Sequence, residues 1–314
     1  MLRFFPIVLY FILVTGFALA YTRLAFALPE PAKFLSDPWI GLSSLWLVLI
    51  VIALERLLPY RKDWNVLRVN ERNDWLHLVF ALLPSEVVGR SLALMAVLAL
   101  RDFLPVFQNL PWPTDWPFAL QVLLGMVIFD FLYYWYHRAM HTVPWLWPIH
   151  RLHHTPENLT VTKGFRHTFA EWGVDVFLHT LVLTLCGVPT AVFVWIMAIT
   201  LPITLLSHAN LALPPARPLE WLLNVPTVHR VHHHQDLRTG NSNYSAFFML
   251  WDHVFGTYSD PALHPPEKLG IARPLPERFV AQWLSFLWEP REPRDETGAA
   301  PAREPRLTAR RGPI

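Results

Sequence analysis

The chain has 314 residues, of which 53% are hydrophobic and only 16% charged, against about 45–50% and about 25% in an ordinary soluble domain, which points to a membrane. Lys and Arg number 26 and Asp and Glu 24, a net charge of +2, and no basic stripe interleaves with stacking aromatics, so a nucleic-acid partner is excluded. A single cysteine, Cys186, excludes an internal disulfide framework, a thiolate zinc cluster and an iron–sulfur centre, and leaves 15 histidines as the feature to explain.

Residues 5–20, FPIVLYFILVTGFALA, form a charge-free apolar run near the length of a spanning helix. The run reads as an anchor or as a cleaved signal ending at Ala18-Leu19-Ala20 or Ala25-Phe26-Ala27. A second run at 39–54, WIGLSSLWLVLIVIAL, follows the turn PEPAKFLSDP and favours an N-terminal membrane hairpin over residues 1–58. Residues 76–100 are apolar but carry Glu86 and Arg90 one helical turn apart, where they can pair. That stretch either spans the bilayer or lies along its surface. Residues 117–136 begin apolar and turn aromatic and polar, the pattern of a helix leaving the bilayer, and they deliver His137. Residues 174–206, interrupted by Gly187-Val188-Pro189, are long enough for two helices turning back on each other. Lys and Arg concentrate in 61–72 and 270–314, which puts these segments, with 137–173 and the rest of 207–314, on the cytosolic face. The tail, 289–314, is rich in Pro, Arg and Glu and lacks an apolar face, so it is expected to be disordered. No repeat is visible. The expected architecture is all-α: a multi-pass membrane bundle of four to six helices beneath a cytosolic helical cap that carries the histidines.

Three strings stand out: HRAMH at 137–141, HRLHH at 150–154 and HRVHH at 229–233. With histidine at about 5% of residues, a given His-x-x-His-His arises by chance at about one position in ten thousand, so two such boxes are not accidents. On a helix, residues i, i+3 and i+4 share a face. His137 with His141, His150 with His153 and His154, and His229 with His232 and His233 would then each present converging imidazoles. Zinc sites usually close at four ligands, so these eight nitrogen donors suggest two metals. Imidazole binds zinc, copper, iron and nickel, and non-haem iron keeps open positions for oxygen. Without a metal, clustered imidazoles would each need a separate buried partner. His77 and His179 read as ordinary hydrogen-bonded histidines, and His234 and His253 as solvent-facing ones.

The order His-x-x-x-His, His-x-x-His-His, His-x-x-His-His after hydrophobic hairpins resembles the fatty acid hydroxylase and sterol desaturase family of membrane di-iron oxygenases, over about residues 75–260. SHAN at 207–210 and SNYSAFFMLWDHVFGTY at 242–258 are similar to that family's segments around its last box. HHTPENLTVTKGFRHTF at 153–169 is similar to the branch containing alkylglycerol monooxygenase, with His167 where that branch commonly carries Gln. The resemblance implies two non-haem irons that use O2 to hydroxylate or desaturate an unactivated C–H bond of a lipid such as a sterol, a fatty acyl chain or an alkylglycerol. It implies His137, His141, His150, His153, His154, His229, His232 and His233 as iron ligands, with His208 as an auxiliary candidate. A site at the membrane exit would hold the carbon chain in a dry channel while electrons and protons arrive from water. No segment resembles a haem or flavin reductase domain, so a separate electron-transfer protein is the expected donor.

Ligating histidines normally give their other ring nitrogen to a carboxylate or carbonyl. Asp130, seven residues before His137 and on the same helical face, is the first choice for that part, ahead of Asp236, Asn243 and Asp252. Arg138, Arg151 and Arg230 should point away from the ligand faces, toward carboxylates or headgroups. Tyr133, Tyr134, Trp135, Tyr136, Trp145 and Trp147 read as an interfacial aromatic belt. Two other classes compete. A membrane zinc hydrolase shares the His-x-x-x-His spacing but needs a Glu where this chain has Arg138, Ala139 and Met140. A metal transporter or b-type cytochrome would carry its histidines inside the spans. Metal analysis separates the three as two irons, one zinc or a haem band.

Overall fold

A computed structural model describes residues 5–27, 45–65, 71–104, 112–213, 216–264, 268–272 and 275–287. The turn at 29–38 and the tail at 289–314 lie outside the described residues. Six longer helices form the body: α1 Phe5–Ala27, α2 Leu45–Leu57, α3 Glu71–Phe103, α4 Phe118–Thr142, α5 Phe169–Leu185 and α6 Thr190–Ser207. Among the described residues extended pairing is confined to isolated bridges such as Pro59–Leu211 and Leu223–Phe248. The fold is therefore all-helical.

Among the described residues four helices, α1, α3, α4 and α6, are long and apolar enough to cross a membrane. The stretch around Glu86 and Arg90 belongs to α3, 33 residues long. Arg90 Nη2 donates to Glu86 Oε2 at 2.6 Å, and Trp172 Nε1 of α5 donates to Glu86 Oε1 at 3.1 Å. The pair thus faces a protein neighbour, while Val88, Leu92, Met95 and Leu98 form the exposed side of α3, so the charges do not bar α3 from lipid. Helix α2 has 13 residues, about 20 Å at 1.5 Å per residue, which is shorter than a hydrocarbon core of about 30 Å. The expected reversal at 187–189 is present: Gly187 takes φ 72° and Pro189 opens α6.

Helix α3 packs along α5, α1 along α6, and α4 against both α5 and α6. The first of these contacts is close because Gly89 lacks a side chain: a Cβ there would lie 2.7 Å from the Gly173 carbonyl oxygen. One apolar core runs from Tyr10, Phe17 and Val51 to Val161, Phe165 and Ala209. A second runs from Met126, Leu183 and Ile196 to Ala246 and Phe247. The first ends on histidine-bearing loops. Glu55, at the end of α2, accepts from the backbone N–H groups of Val161 and Asn210, each at 2.8 Å. The Asn210 carbonyl in turn accepts from Tyr60 at 3.0 Å. The segments after α2, α4 and α6 therefore meet at one end of the bundle, held by buried backbone hydrogen bonds.

Candidate metal centre

His137 and His141 sit one turn apart near the end of α4. The second box is barely helical: His150 closes the four-residue helix Trp147–His150, opened by Pro148, and 151–154 continue as turns. The third box lies on α7, Pro226–His232, which Pro226 starts and His233 caps. His208 is the residue that ends α6, and its Nδ1 donates to the Thr204 carbonyl at 3.1 Å.

The structure does not keep each box on one site. It sorts the imidazoles into two groups, His137, His141, His150, His154 and His232 in one and His153, His208, His229 and His233 in the other. Within each group the candidate ligand atoms all lie within 4.8 Å of one another. The second box sends His153 one way and His150 and His154 the other. In the third box His232, the last residue of α7, and His233, its cap, point to different groups. His208 completes the smaller group, a full member rather than an accessory.

Several ring nitrogens approach closely. His150 Nε2 stands 3.0 Å from His137 Nε2 and 2.9 Å from His154 Nε2. In the second group His208 Nε2 stands 3.1 Å from His153 Nε2 and 2.9 Å from His229 Nε2. In the first group the protons are elsewhere: His137 Nδ1 donates to the Tyr244 carbonyl at 2.7 Å and His150 Nδ1 to Glu171 Oε1 at 2.6 Å. A neutral imidazole that donates through Nδ1 has a bare lone pair on Nε2. Burial keeps the rings neutral, holding His150, His153, His154, His229, His232 and His233 well below the usual imidazole range and pushing His208 down to about 3. Facing lone pairs repel unless a cation lies between them. Two nitrogens about 2.1 Å from one ion and at right angles stand about 3.0 Å apart. Both groups therefore fit a metal, and the donor set is imidazole throughout.

The predicted buttresses are corrected. Asp130 does lie two turns before His137, but its carboxylate accepts the backbone N–H groups of Ala246, Phe247 and Phe248 at 2.8, 3.1 and 3.1 Å. Asp252 accepts from the backbone N–H groups of Tyr244 and Ser245, and from the Thr257 hydroxyl at 2.6 Å. Asn243, in the left-handed region at φ 54°, is tied to Ser259 and Val228. None of the three is hydrogen-bonded to an imidazole. Together they fix the 243–248 segment, and the carbonyls of Ser242 just before it and of Tyr244 within it accept from His232 and His137. Asp236 caps a short helix through Arg238 N–H. Among the three arginines, Arg230 is buried with its guanidinium 3.8 Å from the Tyr60 ring centre. Arg151 donates to the Ser285 carbonyl and Arg138 to the Tyr134 hydroxyl.

Sequence reasoning missed Glu171. It accepts from both His150 Nδ1 and His167 Nδ1, at 2.6 and 2.8 Å, and the His167 ring stacks on His153 with centroids 4.3 Å apart. The available signal was Thr168-x-x-Glu171 at the start of α5, a capping pattern, and the Thr168 hydroxyl does accept from Glu171 N–H at 3.1 Å. Asn241, which faces His141 Nδ1 at 3.1 Å, was also missed. His234 and His253 stand outside both groups.

The fatty acid hydroxylase family model matches residues 122–257, a stretch that contains both imidazole groups. An ornithine lipid hydroxylase from Rhizobium tropici is 34% identical over 247 residues, covering 78% of this chain and 74% of its own. The chain belongs to the fatty acid hydroxylase family. Alkylglycerol monooxygenase from Xenopus tropicalis is 30% identical over 248 residues, covering 76% of this chain and 52% of its own. The corresponding enzyme from Homo sapiens is 30% identical over 184 residues, or 57% of this chain and 38% of its own. The chain thus spans about half or less of these alkylglycerol monooxygenases. No solved structure matches it. Membership in this hydroxylase family sets aside the hydrolase, transporter and cytochrome readings, and the likeness to the alkylglycerol branch agrees with the sequence.

Proposed function

We propose that the protein is an O2-dependent membrane lipid hydroxylase whose two imidazole groups each hold one non-haem iron. The observation that carries this reading is the pair of adjacent, buried, all-imidazole groups, with the lone pairs of His137 and His150 facing each other in the larger one. Iron held there would supply the activation of O2 needed to oxidise an unactivated C–H bond. His137, His141, His150, His154 and His232 would hold one ion, and His153, His208, His229 and His233 the other. Glu171, Asn241 and the carbonyls of Ser242 and Tyr244 fix the ring tautomers so that Nε2 faces inward.

The substrate we assign is the acyl chain of a polar membrane lipid of the ornithine-lipid kind. The likeness to the ornithine lipid hydroxylase, at 34% identity, extends over 74% of that protein, and an alkylglycerol is the second choice. Residues 75–260 would form the catalytic unit, 1–58 a membrane hairpin and 289–314 a solvated tail. The histidine end would face the cytosol, where the basic segments lie and where a separate electron-transfer protein can reach it.

The test is to express the full chain with ample iron, purify it in mild detergent and measure bound metals, then compare extracted lipids made under 18-oxygen gas with and without the protein. Two irons per chain and a labelled lipid are expected, and His153→Ala or His232→Ala should each lower the bound iron and abolish the product while leaving the protein in the membrane. A different metal, or iron and activity retained in both variants, would overturn the proposal.

A further inference from the structure

The two imidazole groups are supported very differently on the side away from their shared centres. In the larger group His137, His150 and His232 each give Nδ1 to a protein oxygen at 2.6–2.8 Å, and His141 Nδ1 meets Asn241 Oδ1 at 3.1 Å. One of those oxygens belongs to the buried carboxylate of Glu171. In the smaller group only His208 is comparably placed, bonding the Thr204 carbonyl at 3.1 Å. His229 Nδ1 meets the Asn224 amide nitrogen at 3.4 Å, and that nitrogen already donates to the Ser245 carbonyl at 2.8 Å. Among the described residues His153 Nδ1 and His233 Nδ1, both buried, have no partner. The groups also differ in size, five imidazoles against four.

An oxygen acceptor on the far ring nitrogen fixes the tautomer, locks the ring and raises ligand basicity. Its removal typically costs about 10–100-fold in metal affinity. An anionic acceptor does this more strongly than a neutral one. Resting on the two-metal reading above, we infer that the positions are unequal: the His137–His141–His150–His154–His232 position binds its metal tightly, and the His153–His208–His229–His233 position exchanges its metal readily. Glu171 is the positioning residue that sets the difference, acting through His150.

The experiment uses the full-length chain in lipid nanodiscs, stripped of metal and titrated with Co(II), whose visible absorption reports imidazole ligation. Two binding steps separated by at least about tenfold are expected, and EDTA should remove one equivalent well before the other. His208→Ala should abolish the weaker step and leave the tighter one. Glu171→Gln should weaken the tighter step about tenfold or more, and Glu171→Asp should restore part of it. Two equivalents bound with the same affinity and removed at one rate would overturn the inference and leave the two-metal reading standing. So would a Glu171→Gln effect confined to the weaker step, or loss of both steps in His208→Ala. Fewer than two equivalents in folded wild-type protein would instead overturn the two-metal reading. The wild-type titration and EDTA release decide the matter even if a variant fails to fold.

Discussion

Asp130 shows how far from the imidazoles a residue can sit and still govern them. Its one carboxylate takes three backbone N–H groups of the 246–248 segment, and a buried N–H left without a partner costs about 1–3 kcal/mol. Asp130→Ala is therefore expected to lower stability by about 3 kcal/mol or more, read as an earlier thermal unfolding transition in detergent. It should also lower bound metal, because the Tyr244 carbonyl that orients His137 precedes the freed segment by two residues. His234 gives the opposite expectation. It lies outside both groups and its ring accepts the Asp236 backbone N–H, so His234→Ala should keep the full metal content where His229→Ala loses it, as measured by elemental analysis of the two purified variants. The box histidines were readable because imidazoles at three- and four-residue spacings have no other common use. Their supports were not. Every residue has a carbonyl, and only the path of the backbone decides that Ser242 and Tyr244 turn theirs toward a ring. Helical periodicity placed Asp130 on the correct face, yet the unsatisfied N–H groups at 246–248 claimed its oxygens first.

At the level of elements, hydropathy located the helices and the break at Gly187 marked the hairpin, because a spanning helix has to satisfy its backbone internally and so writes a long apolar run. The same pattern left α3 undecided, since Glu86 and Arg90 look costly until Trp172 is placed beside them. Helical geometry also failed locally for the second box, where Pro148 opens a helix of only four residues. The contact between α3 and α5 rests on Gly89, which periodicity cannot single out. Gly89→Val would push Cβ against the Gly173 carbonyl oxygen, 2.7 Å away, and a backbone atom cannot give way as a side chain can. The expected cost is about 1–3 kcal/mol, detectable as a lower unfolding midpoint, whereas Gly16→Ala, with open space around its Cβ position, should leave that midpoint unchanged.

For the whole molecule, four helices able to cross a bilayer predict that high salt and alkaline carbonate leave the protein in the membrane pellet and that detergent releases it. Release by salt alone would mean peripheral, charge-based attachment, which screening abolishes. The joined loops make a second prediction. Residues after α2 bond directly to those after α6, so Lys62→Cys and Asp236→Cys, each in a Cys186→Ser background, should react with an impermeant thiol reagent from one side of the membrane only, and from the same side. The partition of the second and third boxes between two positions also bears on how the molecule is made. Both groups draw on the third box, one on His232 and the other on His233, so a ribosome must release nearly the entire hydroxylase region before either pocket is whole. Loading is consequently a late act of biogenesis, performed on a chain already threaded through its lipid surroundings.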